Sequence, residues 1–317
     1  MGMGKILLTG SSGVVGTYVL FYLLEKGYKV IAIDKDLPNS KILEKLKIFI
    51  KNDKLIIEKI NLTNIENVKK LFLKYYSSSI ENEENEEKLK GLIHLAAIPD
   101  PLKLDSRLIH NLNVIISYNV LYTAAEIGIK KIVQASSVNF TGLAYTRKGK
   151  QWFGFLPITE NEIGHAEDPY ALSKWICEAQ ATTICRLFED VRITSLRFHH
   201  ILPTLKEAEQ WSKPNEFWAW TSSLSASQAC LLGLTSKGWK GHESFNIVAP
   251  EIAKPISISS DEIPIQGSLE LFKDKWEGKE GTIGEIRKDW WEGEENKYRG
   301  FWDCTKAETL LGWKHNV

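Results

Sequence analysis

The sequence predicts an α/β protein in which a doubly wound parallel sheet is joined to a smaller, discontinuous C-terminal lobe. Three observations support this fold class. A glycine-rich segment, KILLTGSSGVVG at residues 5–16, is typical of a strand, a tight turn and a helix. Apolar strands and helical segments then alternate five times up to Ala135 without a hairpin signal, which favours parallel strands joined by crossover helices. Beyond about residue 198 the composition changes, and all 11 tryptophans lie after position 150.

The glycine-rich turn predicts a binding loop for a dinucleotide. The apolar residues 6–8 form the first strand, and residues 18–24 form the helix that follows. Glycines between them bring bare backbone close to a pyrophosphate, and the helix N-terminus points its N–H groups and dipole at the same group. Three glycines alone also fit a plain strand-to-helix turn. The candidate cofactor-binding residues of this turn are Gly10, Ser12, Gly13, Val14 and Gly16.

Asp34 ends the second predicted strand, residues 28–33. A carboxylate at this point accepts hydrogen bonds from the hydroxyls of an adenosine ribose and repels a 2′-phosphate, so we expect NAD rather than NADP. Lys35 weakens this preference because an ammonium could pair with the phosphate, and NADP therefore stays open. Asp34 also fits a solvated acid at a strand end.

The remaining pattern continues the alternation of strands and helices. Residues 77–90, SSSIENEENEEKLK, are polar and rich in glutamate, and we expect them to form a solvated surface insertion. In chain order the other predicted elements are a strand at 55–60, a helix at 64–75, a strand at 92–97, a helix at 112–127 ended by Gly128, a strand at 131–135, a strand near 196–198 and a returning strand at 244–248.

The composition indicates a soluble, cytosolic protein and excludes several classes of partner. The chain has 317 residues, 43% apolar and 25% charged, which is ordinary for a globular protein. Its 40 basic and 40 acidic residues cancel, so neither a nucleic acid nor a membrane surface is an expected partner. The longest apolar run, residues 18–24, is too short to span a bilayer, and the first strand begins too early for a signal peptide. The four cysteines lack the spacing of metal ligands, so we expect reduced thiols and no metal site. They are Cys177, Cys185, Cys230 and Cys304.

Tyr170 and Lys174 form the most informative pair, within DPYALSKWICEAQA at residues 168–181. Pro169 suits a helix start, so the two side chains lie one turn apart on one helix face. A nearby ammonium, together with a positive nicotinamide ring, is expected to lower a tyrosine pKa from about 10. Tyr170 would then exchange a proton with a substrate oxygen during hydride transfer, while Ser137 hydrogen-bonds the same oxygen and Lys174 holds the nicotinamide ribose. A plain surface helix would also accommodate the pair.

Motifs along almost the whole chain match one family. They are TGSSGVVG at 9–16, Asp34, HLAA at 94–97, NV at 113–114, ASS at 135–137, YALSK at 170–174, LRF at 196–198 and DCTKAETLLGW at 303–313. With these motifs the chain resembles the extended short-chain dehydrogenases/reductases, the NAD-dependent epimerase/dehydratase family. The resemblance implies a Rossmann fold, NAD, a small-molecule substrate and a homodimer. It makes Ser137, Tyr170 and Lys174 catalytic with Asn113 in support, and it adds Asn61, Leu62, Ala96, Ala97 and Lys174 to the cofactor-binding residues.

Departures from the family pattern narrow the expected reaction. SSV at residues 136–138 replaces the Thr-Asp-Glu of sugar-nucleotide dehydratases, so the acid that expels water is missing. UDP-galactose epimerases usually read Leu-Arg-Tyr-Phe-Asn where this chain reads LRFHH at 196–200, which weakens but does not exclude a nucleotide-sugar epimerase. SSVNFTG at 136–142 has a short likeness to uronate dehydrogenases, which oxidise free sugar acids.

The C-terminal region leaves several roles open. His199 and His200 could contact substrate or be ordinary packed side chains. Trp218 and Trp220 are expected to pack in a small lobe, with stacking on a sugar face as the other option. We expect residues 1–198, with 220–249 returning, to form the NAD(P)-binding domain, and residues 199–219 and 250–317 to form the substrate lobe.

These observations predict an NAD(P)-dependent oxidoreductase. It would transfer hydride between the nicotinamide and a secondary alcohol or carbonyl of a sugar-like or small polar substrate, with a tyrosine as general acid/base. One alternative is a nucleotide-sugar epimerase, which returns the hydride to its product. Another is a non-catalytic NAD(P)-sensing regulator, which the intact pair of Tyr170 and Lys174 argues against.

Overall fold

Parallel strands form the central sheet of the computed structural model, which describes residues 3–80, 88–102, 104–253 and 267–317. The strands are β1 (Lys5–Thr9), β2 (Lys29–Asp34), β3 (Leu55–Lys59), β4 (Leu89–His94), β5 (Lys131–Ser137), β6 (Gln151–Leu156), β7 (Arg192–Phe198), β8 (Ile201–Leu202), β9 (Thr221–Ser222), β10 (His242–Ile247) and β11 (Gly281–Ile286). In the described part of the chain, the main sheet has seven strands in the order β10-β7-β5-β4-β1-β2-β3, all parallel.

The sheet is wound in two directions from β1. The chain runs outward through β2 and β3, returns to pair β4 with the other side of β1, and continues through β5, β7 and β10. The carboxyl ends of β1 and β4 therefore flank the point where the strand order reverses, which is where ligands bind in open α/β sheets. This topology confirms the predicted doubly wound fold and the returning strand.

Helices cover both faces of this sheet. They are α1 (Val14–Glu25), α2 (Ser40–Lys51), α3 (Ile65–Ile80), α4 (Ser106–Glu126), α5 (Pro169–Leu187), α6 (Leu205–Trp211), α7 (Ser223–Thr235) and α8 (Ser268–Lys275). Alternate side chains of β1 point to opposite faces, so Leu7 packs with α3, α4 and α5, whereas Ile6 and Leu8 pack with α1, α2 and α7.

The predicted bounds of the surface insertion, residues 77–90, are wrong at both ends. Helix α3 continues to Ile80, and β4 begins at Leu89, where its backbone N–H donates to Ser79 Oγ at 2.5 Å. The serines at 77–79 lie in the last turn of this amphipathic helix, beyond the apolar residues that it buries. Residues 81–87 lie outside the described residues.

An aromatic cluster forms the core of the C-terminal lobe. Trp218 is 1% exposed and Trp220 is 3% exposed, so both tryptophans pack inside the protein rather than offer a face to a sugar. Strand β6 pairs with β11 at the side of this cluster, although the two strands are distant in the sequence. The largest rings of the cluster are Phe153, Phe217, Trp218, Phe272, Trp276, Trp290, Trp291, Phe301 and Trp302.

The end of the chain packs against α1 and α7 on one face of the main sheet. A π-helical turn at Ala307–Leu311 precedes Trp313, whose indole N–H donates to the Ser225 backbone carbonyl on α7 at 3.0 Å. Ala307, Leu311 and Trp313 thereby join the core beneath α1 and α7. Among the described helices, none combines the length and apolar character that a membrane span requires.

Candidate active site

The glycine-rich turn lies between β1 and α1 and has the geometry of an anion-binding loop. Gly10 has φ +74°, and a side chain there would meet the backbone N of Ala96 at 2.6 Å. A Cβ on Gly16 would lie 1.9 Å from the Gly10 carbonyl oxygen, so Gly16 allows α1 to pack against the turn. At the helix start, Gly13 provides no side chain that would cap the first N–H groups, and Val14 is largely exposed. The N-terminus of α1 is therefore free to receive a pyrophosphate.

The Asp34 carboxylate stands at the end of β2 beside this turn. Its Oδ2 accepts a hydrogen bond from the Ser12 backbone N–H at 2.9 Å, and its Oδ1 accepts from the Asp36 backbone N–H at 3.3 Å. Ser12 Oγ donates to the Asp36 carbonyl at 2.8 Å. Each carboxylate oxygen has two lone-pair directions, so Asp34 can hold the turn and still accept from a ribose hydroxyl.

The other expected cofactor-binding residues follow β3 and β4. Asn61 is exposed, and its Oδ1 accepts from the backbone N–H and the hydroxyl of Thr63 at 3.1 and 2.9 Å. Leu62 is buried in the core beneath α3. Ala96 and Ala97 follow β4, and Ala97 lines the main cleft described below.

Asn113 on α4 sits behind the cleft. Its Oδ1 accepts from the Ile98 backbone N–H at 2.8 Å, and its Nδ2 donates to the Ile98 carbonyl and to Ser173 Oγ, both at 3.1 Å. The amide therefore fastens the loop after β4 to α4 and α5, and both of its donors are used by protein atoms.

A cleft of about 500 Å³ opens at the carboxyl ends of β1, β4, β5 and β7. It brings together residues that are far apart in the sequence. Predicted residues that line it are Gly10, Gly13, Val14, Gly16, Ala97, Ser137, Tyr170, Lys174, His199 and His200. Ser12, Asp34, Asn61, Leu62, Ala96 and Asn113 are not among the residues that line it.

Ser137, Tyr170 and Lys174 lie together in this cleft. Lys174 Nζ donates to the Ala135 carbonyl at 2.6 Å and lies 5.7 Å from the centroid of the Tyr170 ring. Ser137 ends β5, and its hydroxyl accepts from the Asn139 backbone N–H at 3.1 Å. The helix that carries the pair is capped by Asp168, which accepts from the Ala171 backbone N–H at 2.9 Å and fixes the start of α5.

Burial controls the protonation of this pair. It raises the pKa of Tyr170 to about 12, although a hydrogen bond with Ser137 acts in the lowering direction. It also lowers the pKa of Lys174, with Cys177 and Glu178 acting in the opposite direction. The pKa of Tyr170 in the chain alone is thus raised rather than lowered as expected, because desolvation of the phenolate outweighs the hydrogen bond with Ser137.

A buried ion pair supports the strands around Ser137. Arg197 on β7 donates from Nε to Glu178 Oε1 at 2.9 Å and from a terminal nitrogen to Oε2 at 2.8 Å. Ser136 and Ser244 donate their hydroxyls to the same carboxylate at 2.5 and 2.8 Å. Burial raises the pKa of Glu178, but the hydrogen bond and charge of Arg197 outweigh it, and the net shift is downward. The Arg197 guanidinium also lies 3.8 Å from the centroid of the Phe140 ring.

Comparison with known proteins identifies the family. The model of the NAD dependent epimerase/dehydratase family matches residues 6–212, more than half of the chain. The chain belongs to this family. This match confirms the predicted family of enzymes and NAD as the cofactor. The glycine-rich turn, Asp34 and Lys174 form a set of hydrogen-bond donors and acceptors that fits NAD.

Relatives and solved structures of this family include both epimerases and a dehydrogenase. UDP-glucose 4-epimerase 2 from Arabidopsis thaliana is 24% identical over 204 residues, 61% of this chain and 51% of that protein. The dTDP-6-deoxy-L-talose 4-dehydrogenase (NAD(+)) from Aggregatibacter actinomycetemcomitans is 26% identical over 201 residues, 62% of this chain and 61% of that protein. The chain thus spans about half to two thirds of these relatives.

A solved structure has the same fold over nearly its whole length. The structure of UDP-glucose 4-epimerase from Bifidobacterium longum in complex with NAD+ and UDP matches this chain with a TM-score of 0.66 and 17% identity. The match covers 99% of this chain and 94% of the chain in that structure.

Some residues of the site had no signal in the sequence. Tyr145 and Glu216 line the cleft from a loop and a short 3₁₀ turn, Pro214–Glu216, whose positions depend on the packing of the lobe. Glu178 could have been noticed, since it lies one turn beyond Lys174 on the same helix. Within the described ranges, no group of three or more His, Cys, Asp or Glu side chains is arranged to hold a metal ion.

Proposed function

We propose that this protein is an NAD-dependent oxidoreductase that transfers hydride between the nicotinamide and a secondary alcohol or carbonyl of a sugar-like substrate. The observation that supports this most directly is the meeting of Ser137, Tyr170 and Lys174 in the cleft that also contains the glycine-rich turn. A nucleotide loop alone would bind a cofactor. The addition of a proton-exchanging phenol beside it supports chemistry on a substrate.

The three side chains have separate roles in this proposal. Tyr170 exchanges a proton between its phenol oxygen and the substrate oxygen, and the Ser137 hydroxyl orients that oxygen. Lys174, held by the Ala135 carbonyl, supplies positive charge beneath the phenol and an N–H donor to the ribose of the cofactor. NAD supplies the hydride acceptor and, when oxidised, a positive ring. Because the pKa of Tyr170 is about 12, the tyrosine is mainly a protonated acid in the chain alone.

Asn113 is a positioning residue in this scheme. Its amide is used to tie the loop after β4 to α4 and α5. It therefore supports the wall of the cleft near Lys174 rather than contacting the substrate.

A nucleotide-sugar epimerase is the second function that the comparisons favour, since the Arabidopsis relative has that name. The two functions differ in the fate of the hydride. Incubation with substrate and excess NAD gives net NADH for the dehydrogenase, whereas product without NADH indicates the epimerase. A non-catalytic sensor would show neither product nor NADH.

Substitution of Asp34 by alanine tests the cofactor preference. We expect Asp34→Ala to weaken NAD binding about tenfold, because it removes a charged acceptor of ribose hydroxyls. NADP should lose much less affinity, since the same carboxylate repels its 2′-phosphate. Calorimetric titration of both cofactors measures the two dissociation constants.

Asp36→Ala is the matched control for that experiment, because Asp36 is an exposed neighbour whose backbone carbonyl, not its side chain, binds Ser12. Equal losses of NAD and NADP affinity in Asp34→Ala would count against Asp34 as the ribose ligand.

We also propose that the protein is a homodimer that packs through α4 and α5. Both helices carry exposed apolar side chains, on α4 at Leu108, Ile115 and Tyr118 and on α5 at Leu172 and Trp175. Such a patch on paired helices is typical of an interface.

A cytosolic location is supported by the free thiols of all four cysteines.

A charge placed in this patch should separate the subunits. Trp175 is 44% exposed, and Trp175→Glu is expected to shift the mass from twice the 36.0 kDa chain to a single chain, measured by light scattering after gel filtration. Trp152→Glu is the control, since Trp152 is 42% exposed but lies on β6. A monomeric wild-type protein, or an unchanged dimer in Trp175→Glu, would refute this interface.

The domain division is likewise a proposal. Residues 1–198 and 220–249 would bind the cofactor, and residues 199–219 and 250–317 would bind substrate. Within that scheme β6 joins the substrate lobe through β11, and residues 307–313 join the cofactor domain through α7.

A further inference from the structure

Two consecutive residues of β5 hold the part of α5 that carries Lys174. The backbone carbonyl of Ala135 accepts a hydrogen bond from Lys174 Nζ at 2.6 Å. The preceding residue, Gln134, donates from its side-chain Nε2 to the Cys177 carbonyl at 3.0 Å. Cys177 follows Lys174 by about one turn of α5. A carbonyl oxygen has two lone pairs, so Cys177 can accept from Gln134 and keep its bond within the helix.

A directional chain of hydrogen bonds fixes the orientation of the Gln134 amide. At the far end, Thr182 Oγ1 donates to the Glu178 carbonyl at 3.2 Å and therefore accepts from His242 Nδ1 at 2.8 Å. Burial lowers the pKa of His242 to about 4, so the ring is neutral and its Nε2 accepts from Ser195 Oγ at 2.7 Å. Ser195 Oγ in turn accepts from Gln134 Nε2 at 2.8 Å. Both donors of the amide thus have acceptors.

The middle of α5 rests on a polar layer of the sheet. The layer consists of side chains from β5, β7 and β10 that hydrogen-bond α5 or one another, namely Gln134, Ser136, Ser195, Arg197, His242 and Ser244. Ile184 and Cys185, near the end of α5, pack in the apolar core instead. Apolar contacts are non-directional, whereas a hydrogen bond weakens steeply when its angle changes. The polar layer therefore fixes the position of α5 on the sheet more closely than apolar packing would.

A small cavity adjoins Lys174 and has a polar wall. Lys174 lines both the main cleft and this cavity of about 10 Å³, whose wall includes Asn113, Ser117 and Gln134. Ser117 Oγ donates to Gln134 Oε1 at 3.5 Å. Of the described residues that line the cavity, none has a bulky apolar side chain. Hydrogen bonds rather than apolar packing therefore locate the ammonium on this side.

We infer that Gln134 is a positioning residue for Lys174, because its amide holds the turn of α5 that sets where the ammonium meets the ribose of NAD. Misplacing such a group by about 1 Å can cost about 10²-fold in activity. Gln134 acts from outside the site, since it is 1% exposed and is not among the residues that line the cleft. This inference rests on the role proposed for Lys174 in holding the nicotinamide ribose.

A double-mutant cycle read by NAD binding tests the inference without a substrate. Gln134→Met nearly keeps the side-chain volume and removes both donors, so we expect NAD affinity to fall about tenfold, measured by calorimetry. Lys174→Met removes the ammonium and should lower the affinity further. The double variant should match Lys174→Met alone, because Gln134 acts through Lys174. Additive losses, or an unchanged affinity in either single variant, would overturn the inference.

Asn246→Leu is the matched control for Gln134→Met. Asn246 is also 1% exposed, and its Nδ2 donates to the backbone carbonyls of Ile158 and Asp303 at 3.2 and 3.3 Å. It is not among the residues that line the cleft. We expect NAD affinity in Asn246→Leu to stay within about twofold of wild type. A loss as large as that in Gln134→Met would indicate general destabilisation and contradict the positioning role.

Gln134→Glu gives a second measurement with the shape of the side chain preserved, and it carries the test where Gln134→Met does not fold. An ionised carboxylate has no donor for the Cys177 carbonyl, whereas the protonated acid has one. Compared with wild type at each pH, NAD affinity should recover as the pH falls from about 9 to about 5. A deficit that is the same at both pH values would count against the amide donor.

The outcomes separate the inference from the proposed function. Hydride transfer by wild-type protein, read from the cofactor, tests the oxidoreductase assignment and requires a substrate. The mutant cycle requires NAD alone, so either can fail while the other holds.

Discussion

Replacing Tyr170 by phenylalanine is expected to lower kcat/KM by about 10²- to 10⁴-fold, because the substitution removes the group that exchanges a proton with the substrate oxygen. The ring itself should keep its place, since α5 is capped by Asp168 and the Tyr170 side chain is buried beside Lys174. Affinity for NAD should stay near that of wild type. Initial rates and a calorimetric titration with NAD measure both quantities.

Tyr145→Phe is the matched control for Tyr170→Phe, because it removes another phenol from the same cleft. Its effect should be confined mainly to KM, since Tyr145 lines the cleft but does not exchange the proton in the proposed reaction. Unchanged turnover in Tyr170→Phe, or equal losses of kcat in the two variants, would sink the catalytic assignment.

Replacing Arg197 by methionine is expected to cause the largest loss of stability, about 3–5 kcal/mol in the free energy of unfolding. The variant leaves the Glu178 carboxylate buried without its bidentate partner, although Ser136 and Ser244 still donate to it. Methionine retains apolar contact with Phe140, so packing alone should cost little. Urea unfolding followed by circular dichroism gives the free energies.

Acidity gives this prediction a second readout. In wild type the pKa of Glu178 is lowered from 4.5, so the pair stabilises the fold above that pH and loses its contribution as the pH falls below it. Without Arg197, burial raises the pKa of Glu178, and protonation relieves the buried charge. The difference in stability between wild type and Arg197→Met should therefore shrink as the pH falls toward 4.5.

Two further variants control for a general loss of structure. Glu178→Leu combined with Arg197→Met removes both charges and should recover much of the stability. Lys130→Ala breaks an exposed pair with Asp190 and should change stability far less. A loss in Arg197→Met that is no larger than in Lys130→Ala would contradict the buried-charge account.

Much of the fold could be predicted because the buried strands are short apolar runs between turn signals. Both β1 and β2 are buried nearly throughout, and their apolar character alone indicates strands covered on both faces. Helix α2 carried an amphipathic pattern that was not assigned, with Ile42, Leu46 and Phe49 toward the core. Strand β6 had no such signal, because it exists through pairing with the distant β11.

Part of the candidate site could likewise be predicted from the sequence, and part depends on contacts between distant elements. Spacing along one helix placed Tyr170 and Lys174 together, and the motif after β5 placed Ser137 beside them. The hydrogen-bond partners of Asn113 and the ion pair of Glu178 arise where separate elements meet. The pKa shifts of Tyr170 and Lys174 could not be predicted either, because burial causes them and burial follows from the folded structure.

Transfer of deuterium from substrate to cofactor tests the central claim most directly. A candidate sugar labelled with deuterium at its carbinol carbons is incubated with NAD, and the cofactor is analysed by mass spectrometry. Our account predicts deuterium in released reduced cofactor from wild type and almost none from Tyr170→Phe. Product that forms while the cofactor remains oxidised and unlabelled would contradict net oxidation, and return of the label to a changed sugar would instead identify an epimerase.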